Sequence, residues 1–239
     1  MTGTQTIPWK RLATESVIIV GSILLAFAID AWWDERQEQR AQVERLRRVA
    51  AEVELNREII GEKIVTLSRA IQGASEYLAW MGPEPRDVSL DAYSRQWDEM
   101  IDIGMYSLVH RATDEYLGAG SAWEGERSGI RSELLGWYAE GDRIERQYDL
   151  LRARHSEFTS YMIGTGAPVL ATMGHVTVMQ AHPGSKFPID VSKSLSDPTA
   201  ESLLAVYLIR LEFVVRRMTG YLEYQDDLLA AIGTITEAG

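Results

Sequence analysis

An apolar run near the N-terminus constrains this chain more than any other feature. Residues 16–33 read SVIIVGSILLAFAIDAWW, which as an α-helix is about 27 Å long. The hydrocarbon core of a bilayer is about 30 Å thick, so a helix of this length spans it with help from flanking residues. We therefore predict a transmembrane helix at residues 13–35, preceded by a short tail at residues 1–12.

Tryptophans bracket the predicted span. Trp9 precedes it, and Trp32 with Trp33 closes it. Amphipathic rings concentrate where the bilayer meets water. Glu15 and Asp30 are about 22 Å apart along a helix, so we expect each near an opposite interface. Alternatively, one of them pairs with a neighbouring subunit or another membrane protein.

A cleaved signal peptide is the competing interpretation of the same run. Lys10 and Arg11 precede it, and residues 26–28 read Ala-Phe-Ala, a small-x-small cleavage pattern. Against cleavage, Glu15 abuts the apolar run, and the helical pattern continues past residue 28 into Asp34 without a turn residue. The sequence favours an anchor, in which Ser22 and Ala26 form a small-xxx-small pair that permits close helix approach.

Charge leaves the sidedness of the anchor open. Basic residues flank the span on both sides, and more follow it than precede it: Lys10, Arg11, Arg36, Arg40, Arg45, Arg47 and Arg48. Counted alone, they place the C-terminal domain in the cytoplasm. Long domains, however, are translocated with limited regard for charge. We expect a single-pass protein of a bacterial inner membrane and lean to a periplasmic domain.

Composition excludes several classes of function. The formal net charge of −11 argues against nucleic acid as a partner, because phosphate backbones repel acidic surfaces. The chain has no cysteine, which excludes disulfides, thiolate metal sites and cysteine nucleophiles.

Three heptad seams predict the rest of the fold. Apolar positions that alternate in steps of four and three bury one face of a helix against its neighbours. In the first seam, Arg57 occupies the one charged position, and the turn residues Gly82-Pro83-Glu84-Pro85 end the helix. The third seam begins after Asp197-Pro198, a good pair for the N-cap and first turn of a helix. The seams comprise Leu46, Ala50, Val53, Ile60, Ile64, Leu67, Ile71, Ala74 and Leu78; Ile130, Leu134, Trp137, Gly141, Ile144, Tyr148, Leu151, His155, Phe158 and Met162; and Leu204, Tyr207, Leu211, Val214, Met218, Tyr221, Leu228 and Ile232.

Together these patterns predict an all-α protein, in which the transmembrane helix continues into a long helix of an antiparallel helical bundle at residues 36–239. Residues 89–118 read as one or two shorter helices, with Leu90, Tyr93 and Trp97 on one face and Gly104 as a break. Periodicity is lost from residue 164 to residue 196, which predicts a long loop.

Several blocks of the sequence resemble a known family. They are Glu15-Ser16, residues 24–28, Asp30, Trp32 and Arg36 around the span, then Leu46-Arg47, Glu52, Asn56, Arg111-Ala112-Thr113, Tyr116-Leu117, Gly120, Leu134 and Trp137-Tyr138. The chain is similar there to uncharacterised proteobacterial single-span membrane proteins with an N-terminal anchor and a helical soluble domain. The resemblance covers the first two thirds of the chain and implies that architecture, but no activity.

The search for chemistry yields few candidates. His155 lies on a seam, where a buried and hydrogen-bonded histidine is the ordinary case, and His110 reads as a surface or capping residue. The one soft-ligand cluster lies in the long loop: Met173, His175, Met179 and His182. Thioether and imidazole groups suit copper, although Met is more often a core filler. We assign no catalytic residue and no cofactor.

The sequence therefore predicts a membrane-anchored interaction or scaffold protein, with the lipid bilayer and either a second copy or another membrane protein as partners. The seams could instead fill only an intrachain core. The alternative function is a ligand-sensing helical bundle that signals through a separate partner. An enzyme is less favoured, since no recognised catalytic motif occurs.

Overall fold

The computed structural model describes residues 9–118, 127–165 and 190–237, with side chains from residue 15 onward except at 127 and 128. Within those ranges the chain forms six helices and no strand: α1 (Trp9–Trp80), α2 (Leu90–Ile101), α3 (Arg111–Gly118), α4 (Arg127–Gly164), α5 (Val191–Leu195) and α6 (Pro198–Glu237). The predicted all-α helical bundle is confirmed, and α1 is continuous from the apolar run into the bundle.

Direct contacts define a four-helix bundle with up-down-up-down topology, in which α2 and α3 together take the place of one helix. Arg57 of α1 pairs with Asp226 of α6 at 3.0 Å, and the Gly82 amide after α1 donates to the Leu195 carbonyl just before α6, so these two helices are antiparallel. Helix α4 is also antiparallel to α6, because Tyr161 bonds to Asp197 and Tyr224 to the Glu133 carbonyl.

Helices α2 and α3 run one after the other in the remaining position of the bundle. They descend along α1 from the pair of Tyr77 and Tyr93, whose hydroxyls are 2.9 Å apart, to the pair of Arg48 and Glu115 at 2.8 Å. Between them, residues 102–110 are non-helical, and Gly104 within this segment has φ +61°. This left-handed conformation carries little penalty only for glycine, so the predicted break is confirmed.

The two C-terminal seams are buried as predicted. Nine of the ten α4 positions and all eight α6 positions are buried, and His155 is half-buried. Asp197 caps α6 by accepting from the Thr199 and Ala200 amides at 2.8 and 3.2 Å, as its Asp-Pro signal predicts.

The α1 seam differs from its prediction. Ala50, Ile64, Ile71 and Leu78 are only half-buried, whereas Val49, Asn56, Ala70 and Tyr77 join the core. Arg57 points outward to Asp226 and is 46% exposed. The reason is that α1 packs against α6 on one side and against α2 and α3 on the other, so its buried face is wider than one heptad seam.

The contact between α1 and α2 depends on a glycine. A Cβ atom added at Gly73 would lie 3.1 Å from the Met100 amide nitrogen and 3.2 Å from the Gln96 carbonyl oxygen. Both are backbone atoms of α2, so they cannot turn aside as a flexible side chain does. At Gly61, on the same helix, an added Cβ meets nothing within 4 Å.

We expect Gly73→Ala to lower the free energy of unfolding by about 1–3 kcal/mol, because α2 must move away from α1. The matched variant Gly61→Ala should raise it by about 0.5–1 kcal/mol through helix propensity. Chemical denaturation of both proteins in the same detergent measures the difference. Equal effects at the two glycines would contradict this account of the contact.

Candidate functional site

The apolar run is entirely exposed. Every side chain from residue 15 to residue 41 is exposed, and Gln42 is the first buried residue of α1. The run bears large apolar side chains with 49–71% of their surface exposed: Val17, Ile18, Ile19, Val20, Ile23, Leu24, Leu25, Phe27, Ile29, Trp32 and Trp33. Helix α1 is the one helix among the described residues that is long and apolar enough to cross a membrane.

The residues expected at the membrane interface lie on this exposed stretch. The rings of Trp32 and Trp33 are tilted, with centroids 6.4 Å apart, and the Arg36 guanidinium lies 5.7 Å from the Trp32 ring centroid. Glu15 and Asp30 are exposed. Trp9 is the first residue of α1, but its side chain lies outside the described residues. Their positions in a bilayer stay predictions.

Deeper in the bundle, Glu52 caps α3 from a different helix. Its carboxylate accepts hydrogen bonds from the Ala112 amide at 2.6 Å, the Thr113 amide at 3.0 Å and the Thr113 hydroxyl at 2.7 Å. The first amides of a helix lack partners within the helix, and its dipole favours negative charge there. Glu52 therefore satisfies both requirements at once.

One turn further along α1, Asn56 holds the chain before α3. Its amide group donates to the Val109 carbonyl at 2.7 Å and accepts from the Val109 amide at 2.8 Å. Asn56 is fully buried. A side-chain amide that pairs with both backbone groups of one residue reproduces the pattern by which neighbouring strands pair.

The other helices complete the contacts to residues 102–110. Glu145 of α4 accepts from the Leu108 amide at 2.8 Å, and Tyr148 donates to the Ile103 carbonyl at 2.6 Å. Burial raises the pKa of Tyr148 to about 12, further above the pH range in which a tyrosine is already protonated. Lys63 of α1 also donates to the Ile103 carbonyl, and burial lowers the pKa of this lysine. We call the hydrogen bonds from Asn56, Lys63, Glu145 and Tyr148 to residues 102–110 the segment clamp.

A slot beside the clamp holds His110. Its ring centroid lies 5.3 Å from that of Trp137 and 4.5 Å from that of Tyr138. Neither ring nitrogen of His110 has a hydrogen-bond partner among the described residues, nor does Nε1 of Trp137 or the amide group of Gln225. Buried polar atoms of this kind ordinarily bind ordered water. The carbonyl of His110 accepts from the Asp114 amide at 2.8 Å, so its backbone lies at the N-cap of α3 as predicted, whereas its half-buried ring packs against α4 and not at the surface.

His155 is only partly as expected. Its ring packs on Tyr207 with centroids 5.7 Å apart, and it makes a hydrogen bond with the Ile101 backbone. Its Nε2 has no partner among the described residues. Burial lowers the pKa of His155, which favours the neutral ring at physiological pH.

The predicted soft-metal cluster of Met173, His175, Met179 and His182 lies outside the described residues. Within residues 9–118, 127–165 and 190–237, no group of three or more His, Asp or Glu side chains is arranged to hold a metal ion.

Tertiary structure brings together residues from separate sequence blocks. Glu52, Asn56, Thr113 and Trp137 lie around the segment clamp and the His110 slot. Sequence reasoning did not predict that they meet, and it missed Gln225 altogether. The spacing does indicate Gln225, because it lies four residues after Tyr221 and three before Leu228, where the heptad pattern places a buried residue. In the structure Gln225 is fully buried.

A surface groove runs between α1 and α6. It encloses about 750 Å³ and is lined by Ala51, Glu54, Leu55, Arg57, Glu58, Gly61, Leu222 and Asp226. Arg57 is held by Asp226 at 3.0 Å and by Glu54 at 3.6 Å. The groove is therefore acidic, with Leu55 as its exposed apolar residue.

Comparison of this chain with protein-family models, curated proteins and solved structures finds no match.

Replacing Asn56 with leucine should weaken the segment clamp, because both hydrogen bonds to Val109 are lost. Asn56→Leu leaves the amide and carbonyl of Val109 without their partners, and we expect the free energy of unfolding to fall by about 2–3 kcal/mol. Gln72→Leu, an exposed amide-to-leucine change on the same helix, is the control and should change it by less than about 0.5 kcal/mol. Hydrogen exchange at Val109 should accelerate only in the first variant; unchanged exchange there would contradict the assigned role.

Proposed function

We propose that this chain is a membrane-anchored helical interaction or scaffold protein that associates with a second copy of itself. The observation that carries the proposal is the stretch 16–33, which is apolar, wholly exposed and continuous with the first helix of the bundle. An exposed apolar surface of this extent needs either lipid or protein around it.

One face of α1 favours contact between two copies. An ideal helix turns about 100° per residue, so Ser22 and Ala26 lie within about 20° of Ala51 around the axis. Ala51 and Leu55 are exposed on the bundle, on the side of α1 that no other described helix covers. A close approach through the small pair in the membrane would therefore continue along an open face of the soluble domain.

Charge limits how far that contact extends. Glu58 and Glu62 follow Leu55 on the same exposed face of α1. Two parallel copies would bring these carboxylates together, and like charges at close range repel. The proposed contact therefore covers the membrane helix and the first turns of the bundle, beyond which the copies diverge.

Larger side chains at Ser22 and Ala26 should prevent the two copies from associating. We expect Ser22→Leu combined with Ala26→Leu to shift the protein from dimer toward monomer, because the larger side chains prevent close helix approach. Ala28→Leu combined with Ala31→Leu adds comparable bulk on roughly the opposite face and should leave the dimer intact. Light scattering in mild detergent measures the molar mass. A monomeric parent protein would refute self-association.

We further propose that the anchor lies in a bacterial inner membrane with the bundle on the periplasmic side. The chain has no cysteine, so a single cysteine at the exposed position Glu223 reports on its location alone. We expect Glu223→Cys to react with a membrane-impermeant maleimide in intact spheroplasts. Reaction only after the membrane is permeabilised would instead place the bundle in the cytoplasm.

A further inference from the structure

The outer surface of α4 and α6 carries an apolar patch. Val206, Ile209 and Phe213 lie on one face of α6 and are 47%, 68% and 40% exposed, and Leu150 of α4 is 49% exposed. Arg210 bonds to Gln147 across the two helices at 3.1 Å, so Leu150 and Val206, each one turn away in antiparallel helices, lie at the same level. We call these four residues the α4–α6 patch.

Guanidinium groups border the patch. Those of Arg210 and Arg217 lie 5.7 and 5.9 Å from the centroid of the Phe213 ring, within the range of cation–π attraction. Arg217 is neutralised by Glu140 at 3.2 Å, but Arg210 bonds to a neutral amide. Arg216 is exposed and forms no ion pair within the described part of the chain.

The border is therefore positive in a chain whose net charge is −11. Glu212 is the acidic residue next to Phe213, and it lies two heptads before Asp226, which contacts α1. Arg216 follows Glu212 by one helical turn, so Glu212 offsets Arg216 as Glu140 offsets Arg217, and Arg210 is left without a carboxylate. Three arginines thus face two carboxylates, and an apolar centre with a net positive border is complementary to a partner that is apolar along one face and acidic beside it.

Position along the bundle excludes the bilayer as the occupant. Because Arg57 and Asp226 are level, Ile209 lies near the level of residue 74 of α1. That is about 60 Å from the end of the apolar run at Trp33, at the rise of an α-helix. This step, and the inference as a whole, rest on the anchored interaction function proposed above.

A second copy is also disfavoured. Copies anchored in one bilayer meet at equal heights, so the arginines of one patch would face those of the other. The acidic groove beside Leu55 lies about 28 Å nearer the membrane and cannot reach the patch of a neighbouring copy. We propose that the α4–α6 patch docks an acidic amphipathic helix of a different protein.

The docked helix would lie across the α4–α6 patch. Its apolar residues, spaced by three and four positions, bury Ile209 and Phe213, while carboxylates on its flank reach Arg210 and Arg216. Water leaves the guanidinium groups over Phe213 on binding, which strengthens their attraction to the acidic flank.

To test this proposal, peptides that bind the full-length protein in lipid nanodiscs are selected from a library of helical peptides that is unbiased in charge. We expect the selected peptides to be acidic with one apolar face, and their binding to weaken as salt is raised. Ile209→Ser and Arg216→Glu should each weaken binding about tenfold. Val65→Ser and Arg69→Glu make comparable changes at exposed positions of α1 and should have no effect.

Three results would overturn the proposal: no selected binder, binders without acidic bias, or equal binding by the patch and control variants. A fourth is loss of self-association in Ile209→Ser, which would make a second copy the occupant. The variants at Ser22 and Ala26 test the anchor contact separately, so failure of the patch and failure of self-association are distinguishable.

Discussion

The segment clamp is the interaction on which the rest of the structure depends. A helix satisfies its own backbone groups, but residues 102–110 are not helical and lie against the core of a bundle whose described residues include no strand to pair with. Asn56 from α1, together with Glu145 and Tyr148 from α4, provides the missing partners. Since an unpaired buried backbone group costs about 1–3 kcal/mol, these side chains make the broken layer possible.

The clamp also decides which surfaces remain open. It holds α2 and α3 against one side of α1, and α6 covers another, so α1 keeps a single exposed face beside the acidic groove. None of the described helices packs over the outward face of α6, and there the α4–α6 patch is exposed. The proposed contacts with a second copy and with an acidic helix use these two faces, at different heights above the anchor.

The seams of α4 and α6 could be predicted because each buries a single face, and a heptad pattern describes one face well. The α1 seam was less accurate for the opposite reason. Val49 and Tyr77 are buried outside the predicted seam. Tyr77 packs against Tyr93 and Trp97 of α2, while α6 also packs on α1, and a helix with two buried sides departs from any single seam. Of the candidate site, the sequence placed Trp32, Trp33, Glu15 and Asp30 on an exposed helix, but it did not predict the clamp.

By itself, the sequence determined the long helices, the glycine break at residue 104, the Asp197 cap and an apolar run long enough to cross a bilayer, because periodicity, glycine conformation and capping are local properties of the chain. Only the tertiary structure decided that Asn56 meets Val109, 53 residues away, and that His110 lies between aromatic rings of α4. Periodicity states which face of a helix is buried, whereas the partner on that face depends on how distant segments pack in space.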